Sequence, residues 1–416
     1  MLETLVHRKR DYVRLDTSPA REFLESFANA LAEKHYHHST IIRHVFAADR
    51  LSRWLRQRGQ TAKQLDDSIF AVYLRELGRR RRVGWPNGCL PATAAGAQRF
   101  LVFLRQSGVT PTPILVPRTD AERWVASYDQ HLERSAGLAP GTRRFYCRYA
   151  RLLLAQHFGE QVLDWTVLTA DHLADFVQRE AARLKPSASR LPVTAVRAFV
   201  RFLVARGVVG SGLQGAVPTI RQWQHASLPK ALTPEEVQRV LSLCESETDV
   251  AVRDRAVLLL LARMGLRSAE VAALQIEHLR WSAGELLVVA GKSGRERLLP
   301  LSDEVGRTLV AYLRRRPQSD DRRVFLRARP PYRPLVPHSI GEIAGRCLRR
   351  AGLPAGRCGA HIFRHTVATQ MVRRGASFKQ VADVLGHARL QTTAIYAKLD
   401  IETLSRVALP FPGGVP

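Results

Sequence analysis

Two stretches break the helical patterning of this chain and fix how many cores it can build. Residues 110–117 carry three prolines and no charge; residues 208–229 contain Gly210, Gly212, Gly215, Pro218 and Pro229 without a sustained helical period. Proline removes a backbone donor and glycine weakens a helix, so neither stretch continues an amphipathic helix. They divide the 416 residues into a helical piece at 1–110, a second at 118–207, a linker at 208–228 and a C-terminal piece at 229–416. Apolar residues make up 45% of the chain, enough to build packed cores and too many for a disordered basic tail.

The first two pieces read as divergent copies. Each has a Thr-led amphipathic helix, at 40–55 and 142–157, then a shorter helix, at 65–74 and 168–177. Each ends on an aromatic helix with a Gly-Val exit: Phe100 to Leu104 before Gly108-Val109, and Phe199 to Leu203 before Gly207-Val208, 99 residues on. The first copy has an insertion at 79–87, holding four consecutive arginines and Pro86. Exposed arginines are expected on both, Arg43, Arg50, Arg53 and Arg56 in one and Arg143, Arg144, Arg148 and Arg151 in the other.

The third piece opens with Thr233-Pro234-Glu235-Glu236, a capping box with proline at the first helical position. A second helix is expected at 250–264, stopping at Gly265. A β-hairpin follows: strands at 285–290 and 295–299, a turn at 291–294 and Pro300 as terminator. Helices are then expected near 303–315, 338–351, 361–374, 377–385 and 389–399, with Gly352, Gly375 and Gly386 at the stops. The expected fold class is mainly α (α+β): helical N-terminal modules, then a mostly helical domain with a small antiparallel sheet.

The balance of charge narrows the partners. Lys and Arg number 64 against 37 Asp and Glu, a net +27, and only eight of the cations are Lys. A chain this positive repels itself unless a polyanion compensates, and lysine and arginine displace the counterions condensed on nucleic acid. The charge runs through the whole sequence rather than one basic amphipathic segment, which favours double-stranded DNA over a membrane surface. No apolar run reaches membrane-spanning length, and the N-terminus has no hydrophobic signal region. Five scattered cysteines without a C-x-x-C argue against a disulfide framework or a cysteine zinc site. These features lead to the expectation of a cytoplasmic, nucleoid-associated protein.

Several polar residues of the third piece lie where chemistry is done. Arg267 follows a helix end, and Glu270 stands three residues on. Lys292 is at the hairpin tip. His361 and Arg364 share a helix face, His387 follows a Leu-Gly helix stop, and Tyr396 comes nine residues later. Together they equip phosphodiester chemistry that needs no metal and no cofactor. Two guanidiniums can clamp non-bridging oxygens, and two imidazoles can hydrogen-bond them or move a proton. A lysine can protonate a departing oxygen, and a tyrosine hydroxyl can form a covalent phosphotyrosine that conserves bond energy. No carboxylate cluster points to Mg²⁺, and no metal is expected.

The motifs Gly265-Leu-Arg267-Ser-Ala-Glu270, Gly291-Lys292-Ser-Gly-Arg295-Glu-Arg297, His361-Ile-Phe-Arg364-His-Thr, Leu385-Gly-His387 and Thr392-Thr-Ala-Ile-Tyr396 resemble, in order and spacing, the signatures of the tyrosine recombinases, the phage integrase family. The second piece resembles their core-binding domain, so the likeness covers roughly 118–400. It implies a site-specific recombinase with Tyr396 as nucleophile, forming a 3′-phosphotyrosyl link. Arg267 and Arg364 would bind the scissile phosphate, His361 and His387 would assist, Lys292 would be the leaving-group acid, and Glu270 would support Arg267. Arg143, Arg144, Arg148, Arg151, Arg295 and Arg297 are expected at the DNA. Members of the family clamp DNA, assemble as tetramers on two sites and exchange strands through a Holliday junction. The apolar tail residues Leu399, Ile401, Leu404, Val407 and Leu409 suit packing on a neighbouring subunit or, alternatively, a last helix packed on the chain itself, with sister recombinases as further partners.

Two features depart from the family pattern. Ser293 and Arg295 stand where its hairpin turn is richer in Gly and Lys, and residues 1–110 exceed the two-domain plan of its short members. A duplicated module favours the integrase of a mobile element. The alternative readings are a DNA-binding partner on the same fold that has lost its chemistry, and a relaxing topoisomerase with the same nucleophile. Taken singly, each site residue also has an ordinary structural explanation; the ordered set is what favours the strand-transfer enzyme. His278 and His365 are read as structural, and the cluster His35, His37 and His38 as a solvated or DNA-facing surface.

Overall fold

The computed structural model describes residues 9–79, 89–111, 119–159, 162–184, 188–219, 231–289, 296–353 and 359–387. By its internal packing the chain divides into two compact units. One joins Met1–Thr112 to Ser227–Pro416, and the other is Pro113–Ala226.

In the first unit the N-terminal residues form α1 (Lys9–Asp16), α2 (Arg21–Glu33), α3 (His38–Arg56), α4 (Asp67–Arg79) and α5 (Cys89–Gln106). Helix α3 packs against α2 and α5 and is buried around most of its circumference. Its Asp49 is fully buried and accepts from Arg14 Nε at 2.9 Å and Arg53 Nε at 2.8 Å, which fastens α1 to α3. The histidines of the cluster are exposed; His37 caps α3 by accepting from the Ser39 N–H, and the His35 ring lies 5.9 Å from that of Tyr332.

The second unit holds α6 (Asp120–Arg134), α7 (Pro140–Phe158), α8 (Ala170–Ala182), α9 (Arg190–Ala205) and the short α10 (Gly212–Ala216). Helices α6 and α8 begin with Thr capping boxes, at Thr119 and Thr169. The interior repeats that of α1–α5. Val45, Ala48 and Leu51 are buried on α3 as Cys147, Ala150 and Leu153 are on α7, each pair 102 residues apart. Phe100 meets Phe27 edge-on at 5.1 Å and stacks with Phe103, just as Phe199 meets Tyr128 at 5.0 Å and stacks with Phe202. Both aromatic helices close through a left-handed glycine, Gly108 (φ 70°) and Gly207 (φ 71°). The next N–H then bonds back to Leu104 or Leu203.

The rest of the first unit runs α11 (Pro234–Ser242), α12 (Asp249–Met264), α13 (Ser268–Ala273), β1 (Leu279–Arg280), β2 (Glu285–Val289), β3 (Glu296–Pro300), α14 (Asp303–Arg315), α15 (Pro337–Arg350), α16 (His361–Arg373) and α17 (Phe378–Leu385). The capping box expected at Thr233 and Glu236 is formed. Ala256 to Ala262 are all buried, so α12 is apolar on every side and serves as the central post for α14 and α16. The three strands form one antiparallel sheet in chain order; β1, only two residues long, was not foreseen. Register pairs Leu286 with Leu299 and Val288 with Arg297, so these four share one face, and β3 packs beside α17. Two of the scattered cysteines meet in this core, Cys244 and Cys347, with sulfurs 3.7 Å apart.

Phe199 is the hub of the second unit. Phe199→Ala should lower unfolding free energy by about 3–5 kcal/mol, measured by chemical denaturation; a loss under about 1 kcal/mol would contradict this packing.

Candidate active site

The site is assembled where α12 ends, α13 starts, α16 starts and α17 ends. Helix α12 stops at Gly265, whose φ of 65° is the left-handed conformation. A side chain there is excluded twice over, since an added Cβ would lie 2.7 Å from Leu385 Cδ2. The chain then turns at Arg267, which precedes α13, and Glu270 completes the turn by accepting from the Arg267 N–H at 2.9 Å. Helix α16 begins at His361, exposed, and carries the buried Arg364 one turn on. Helix α17 ends at Gly386 (φ 64°), and the His387 N–H bonds back to Ala382 O at 2.9 Å.

Three arginines meet at the end of α17. Arg297 Nε donates to Val384 O at 2.9 Å, Arg364 Nη2 donates to Leu385 O, and Arg267 Nη2 donates to Gly386 O at 3.1 Å. A helix leaves its last carbonyls without partners and carries partial negative charge there, so guanidiniums are their natural complement. Arg364 Nη1 also donates to Gly265 O at 2.9 Å, joining segments 99 residues apart. Glu270 lies behind this row. Its carboxylate accepts from Arg267 Nη1 at 2.8 Å and from Arg297 Nη1 and Nη2 at 3.1 and 3.0 Å. Burial pushes the Glu270 carboxyl up, yet the two guanidiniums and the Arg267 N–H outweigh it and hold it below the usual range.

His387 sits in the same positive field. Burial lowers its pKa first, then Arg364, Arg267, Arg297 and His365 add to the effect, bringing it from 6.5 to about 4. The imidazole of the free protein is therefore neutral at neutral pH. His365 is lowered as well, by burial and by His361 and Arg364.

The structure brings together Arg267, Glu270, Arg364 and His387 and sets His361 at the start of the same helix as Arg364. Lys292 and Arg295, in the β2–β3 connection, and Tyr396 lie outside the described residues. Arg297, expected at the DNA, has a side chain that is 11% exposed and directed to Glu270 and the end of α17. Arg143 is likewise turned to carboxylates, those of Asp129 and Glu133, with 16% exposure. Arg144, Arg148 and Arg151 are exposed as expected. His278, read as structural, accepts from the Gln275 N–H at 3.2 Å.

Protonation gives a test. His44 is also lowered to about 4, by burial and then by Arg99 and Arg43. Between about 6.5 and about 4 the unfolded chain binds more protons than the folded one at these two residues, so stability must fall as pH drops through that window. The thermal midpoint of the DNA-free protein should decline there, and His387→Gln should flatten the slope. A slope unchanged in that variant would refute the buried, neutral state of His387.

Comparison with known proteins follows the same lines. The model of the phage integrase family matches residues 230–402, and that of the phage integrase N-terminal SAM-like domain matches residues 125–207. The chain is 36% identical over 399 residues to a putative integrase/recombinase, y4rA, of Sinorhizobium fredii, covering 95% of each. It is 31% identical to the tyrosine recombinase XerC of Serratia marcescens, over 68% of this chain and 92% of that one. Among solved structures, XerH recombinase bound to a palindromic difH substrate matches with a TM-score of 0.55 at 19% identity, over 74% of this chain and 92% of that one. The Tn1549 transposon integrase with a circular intermediate DNA matches with 0.52 at 17% identity, over 68% of this chain and 99% of that one. The structural matches show a shared fold. No helix among the described residues is long and apolar enough to cross a membrane.

Proposed function

The chain belongs to the phage integrase family of tyrosine recombinases, and from that premise we propose that it cleaves and rejoins double-stranded DNA at the site built around α17, in the service of a mobile element. The observation that carries the assignment of residues is the convergence of Arg267, Arg364 and His387 on consecutive positions of one helix end. Arg267 keeps 34% of its side chain exposed, so its guanidinium can take a phosphate oxygen without leaving Glu270.

Tyr396 Oη passes its proton to the exposed His361 imidazole as it attacks the scissile phosphorus, and becomes joined to the 3′ side of the break. The bond to the 5′ oxygen opens, and Lys292 protonates that oxygen as it leaves. Arg267 and Arg364 hold the two non-bridging oxygens, whose charge grows in the transition state. His361 and His387 donate hydrogen bonds to the same oxygens, and a bound phosphate favours the protonated form of His387 that the free protein disfavours. Rejoining reverses these steps with the 5′ hydroxyl of another strand, so bond energy is retained throughout. The enzyme works as a tetramer on two DNA sites, its tail residues Leu399, Ile401, Leu404, Val407 and Leu409 packing on a neighbour, and sister recombinases can take places in the same ring.

The two helical modules divide their labour. On α7 the exposed Arg144, Arg148 and Arg151 follow one face at i, i+4 and i+7, suited to a run of phosphates. One hundred and two residues earlier, the matching positions of α3 are Ile42, Phe46 and Asp49. That face is covered by α1, with the Arg14 guanidinium 5.4 Å from the Phe46 ring and paired with Asp49. The second module therefore grips DNA through this helix, and the first has given the same face to its own packing.

Incubation with nicked suicide duplexes spanning the two ends of the DNA segment that carries the gene should yield a covalent adduct on denaturing gels. Tyr396→Phe should abolish it; an undiminished adduct would overturn the assignment. Charge reversal of Arg144, Arg148 and Arg151 together should weaken DNA binding and reduce the slope of log affinity against log salt by about three, near one for each phosphate no longer neutralised. An unchanged slope would remove α7 from the DNA interface.

A further inference from the structure

The arginines at the end of α17 do not all look outward. Arg267 is one-third exposed, whereas Arg297 is 11% exposed and has its guanidinium nitrogens committed to Glu270 and Val384 O. It could reach a phosphate only by abandoning both. Its place in β3 explains this, because it shares the inward face of the hairpin with Leu299, Leu286 and Val288. Burying a guanidinium among such neighbours is costly unless every donor is used. Here the donors are spread over two of the segments that form the site.

We propose that Arg297 is a positioning residue for strand cleavage, fixing Arg267 through Glu270 and His387 through the carbonyl end of α17. The inference rests on the reading of Arg267 and His387 as phosphate-binding groups. Three observations support it beyond the hydrogen bonds themselves. First, Arg267 and Glu270 alone would be a neutral pair, and a guanidinium compensated by its own carboxylate attracts a phosphate weakly. With Arg297 sharing that carboxylate, the trio keeps a net positive charge toward the open side of Arg267. Second, Gly386 leaves the space that Arg297 occupies: a Cβ at that position would lie 2.6 Å from Arg297 Nη1 and 3.1 Å from its Cζ. Third, Val384 O is the first of the three consecutive carbonyls held by arginines, so Arg297 anchors the row on the side away from His387. Groups held this way keep their geometry when DNA arrives, and a misplacement on the order of 1 Å costs about 100-fold in rate.

The test uses the full chain and the nicked suicide duplexes described above. Two quantities are read in the same salt: the initial rate of covalent adduct formation and the Kd for the duplex. Arg297→Met should lower the adduct rate by about 100-fold while leaving Kd within about twofold, since the guanidinium of Arg297 is committed to Glu270 and Val384 O and the scissile phosphate is only one of the many phosphates a duplex offers. Arg297→Lys keeps a cation beside Glu270 without the fork and should recover part of the loss. The double variant Arg297→Met/Glu270→Gln should be no slower than the slower single variant, because both changes act on the same groups. The proposal is overturned if Arg297→Met cleaves at the native rate, or if Kd weakens in proportion to the rate. It is equally overturned if the two single losses multiply in the double variant. Should Arg297→Met fail to fold, the lysine variant decides: native activity there assigns Arg297 to stability alone, and slow cleavage with native Kd supports the proposal. Arg267→Ala separates the two levels. Native cleavage by that variant removes the reading of the site itself; a cleavage-dead Arg267→Ala beside an indifferent Arg297→Met removes only the role of Arg297.

Discussion

The end of α17 is the constraint on which the rest of the site depends. A helix must dispose of its terminal carbonyls, and this one hands three of them in succession to Arg297, Arg364 and Arg267. Those arginines come from a strand, a helix and a turn widely separated in sequence. Each arrives already oriented by a second contact: Glu270 for Arg297 and Arg267, Gly265 O for Arg364. An ordinary requirement of helix termination thus doubles as the jig for a cationic, partly open cleft. The apolar post α12 sets the distances, since Gly265 at its end lies directly against Leu385.

Much of this was legible in sequence. The capping boxes at Thr233 and the left-handed stops at Gly265 and Gly386 carry local chemistry that survives tertiary packing, and the structure uses them as expected. The roles of Arg143 and Arg297 were not legible. Arginine in a basic chain defaults to the surface, and nothing local says that Arg143 will find Asp129 across a helix pair. For Arg297 a signal did exist: strand alternation puts it on the same side as Leu299. It was obscured by the adjacent Leu298, which lies 47% exposed and makes the apolar parity of the strand ambiguous. The short β1 and α13 give too few residues for any period to show.

The two helical modules combine similar interiors with different outer faces. Their interiors are superimposable in kind, down to the stacked pair of aromatic rings and the glycine exit, because close packing tolerates few alternatives. Their outer faces differ, arginines on α7 against isoleucine, phenylalanine and aspartate on α3. The buried Asp49 with its two arginines lies on the face of α3 that corresponds to the exposed arginine face of α7.

Gly386 and Arg297 also bear on how this sequence can change over time. The guanidinium occupies the volume that any side chain at position 386 would need. The two positions are therefore locked together: a lineage that enlarges residue 386 must first shorten residue 297, and the shortened intermediate would have lost the group that neutralises half of Glu270. Neither step is neutral alone. Across relatives of this chain, the pair should be inherited as a unit, and substitution at one without the other should mark descendants whose catalytic cleft has been rebuilt or abandoned.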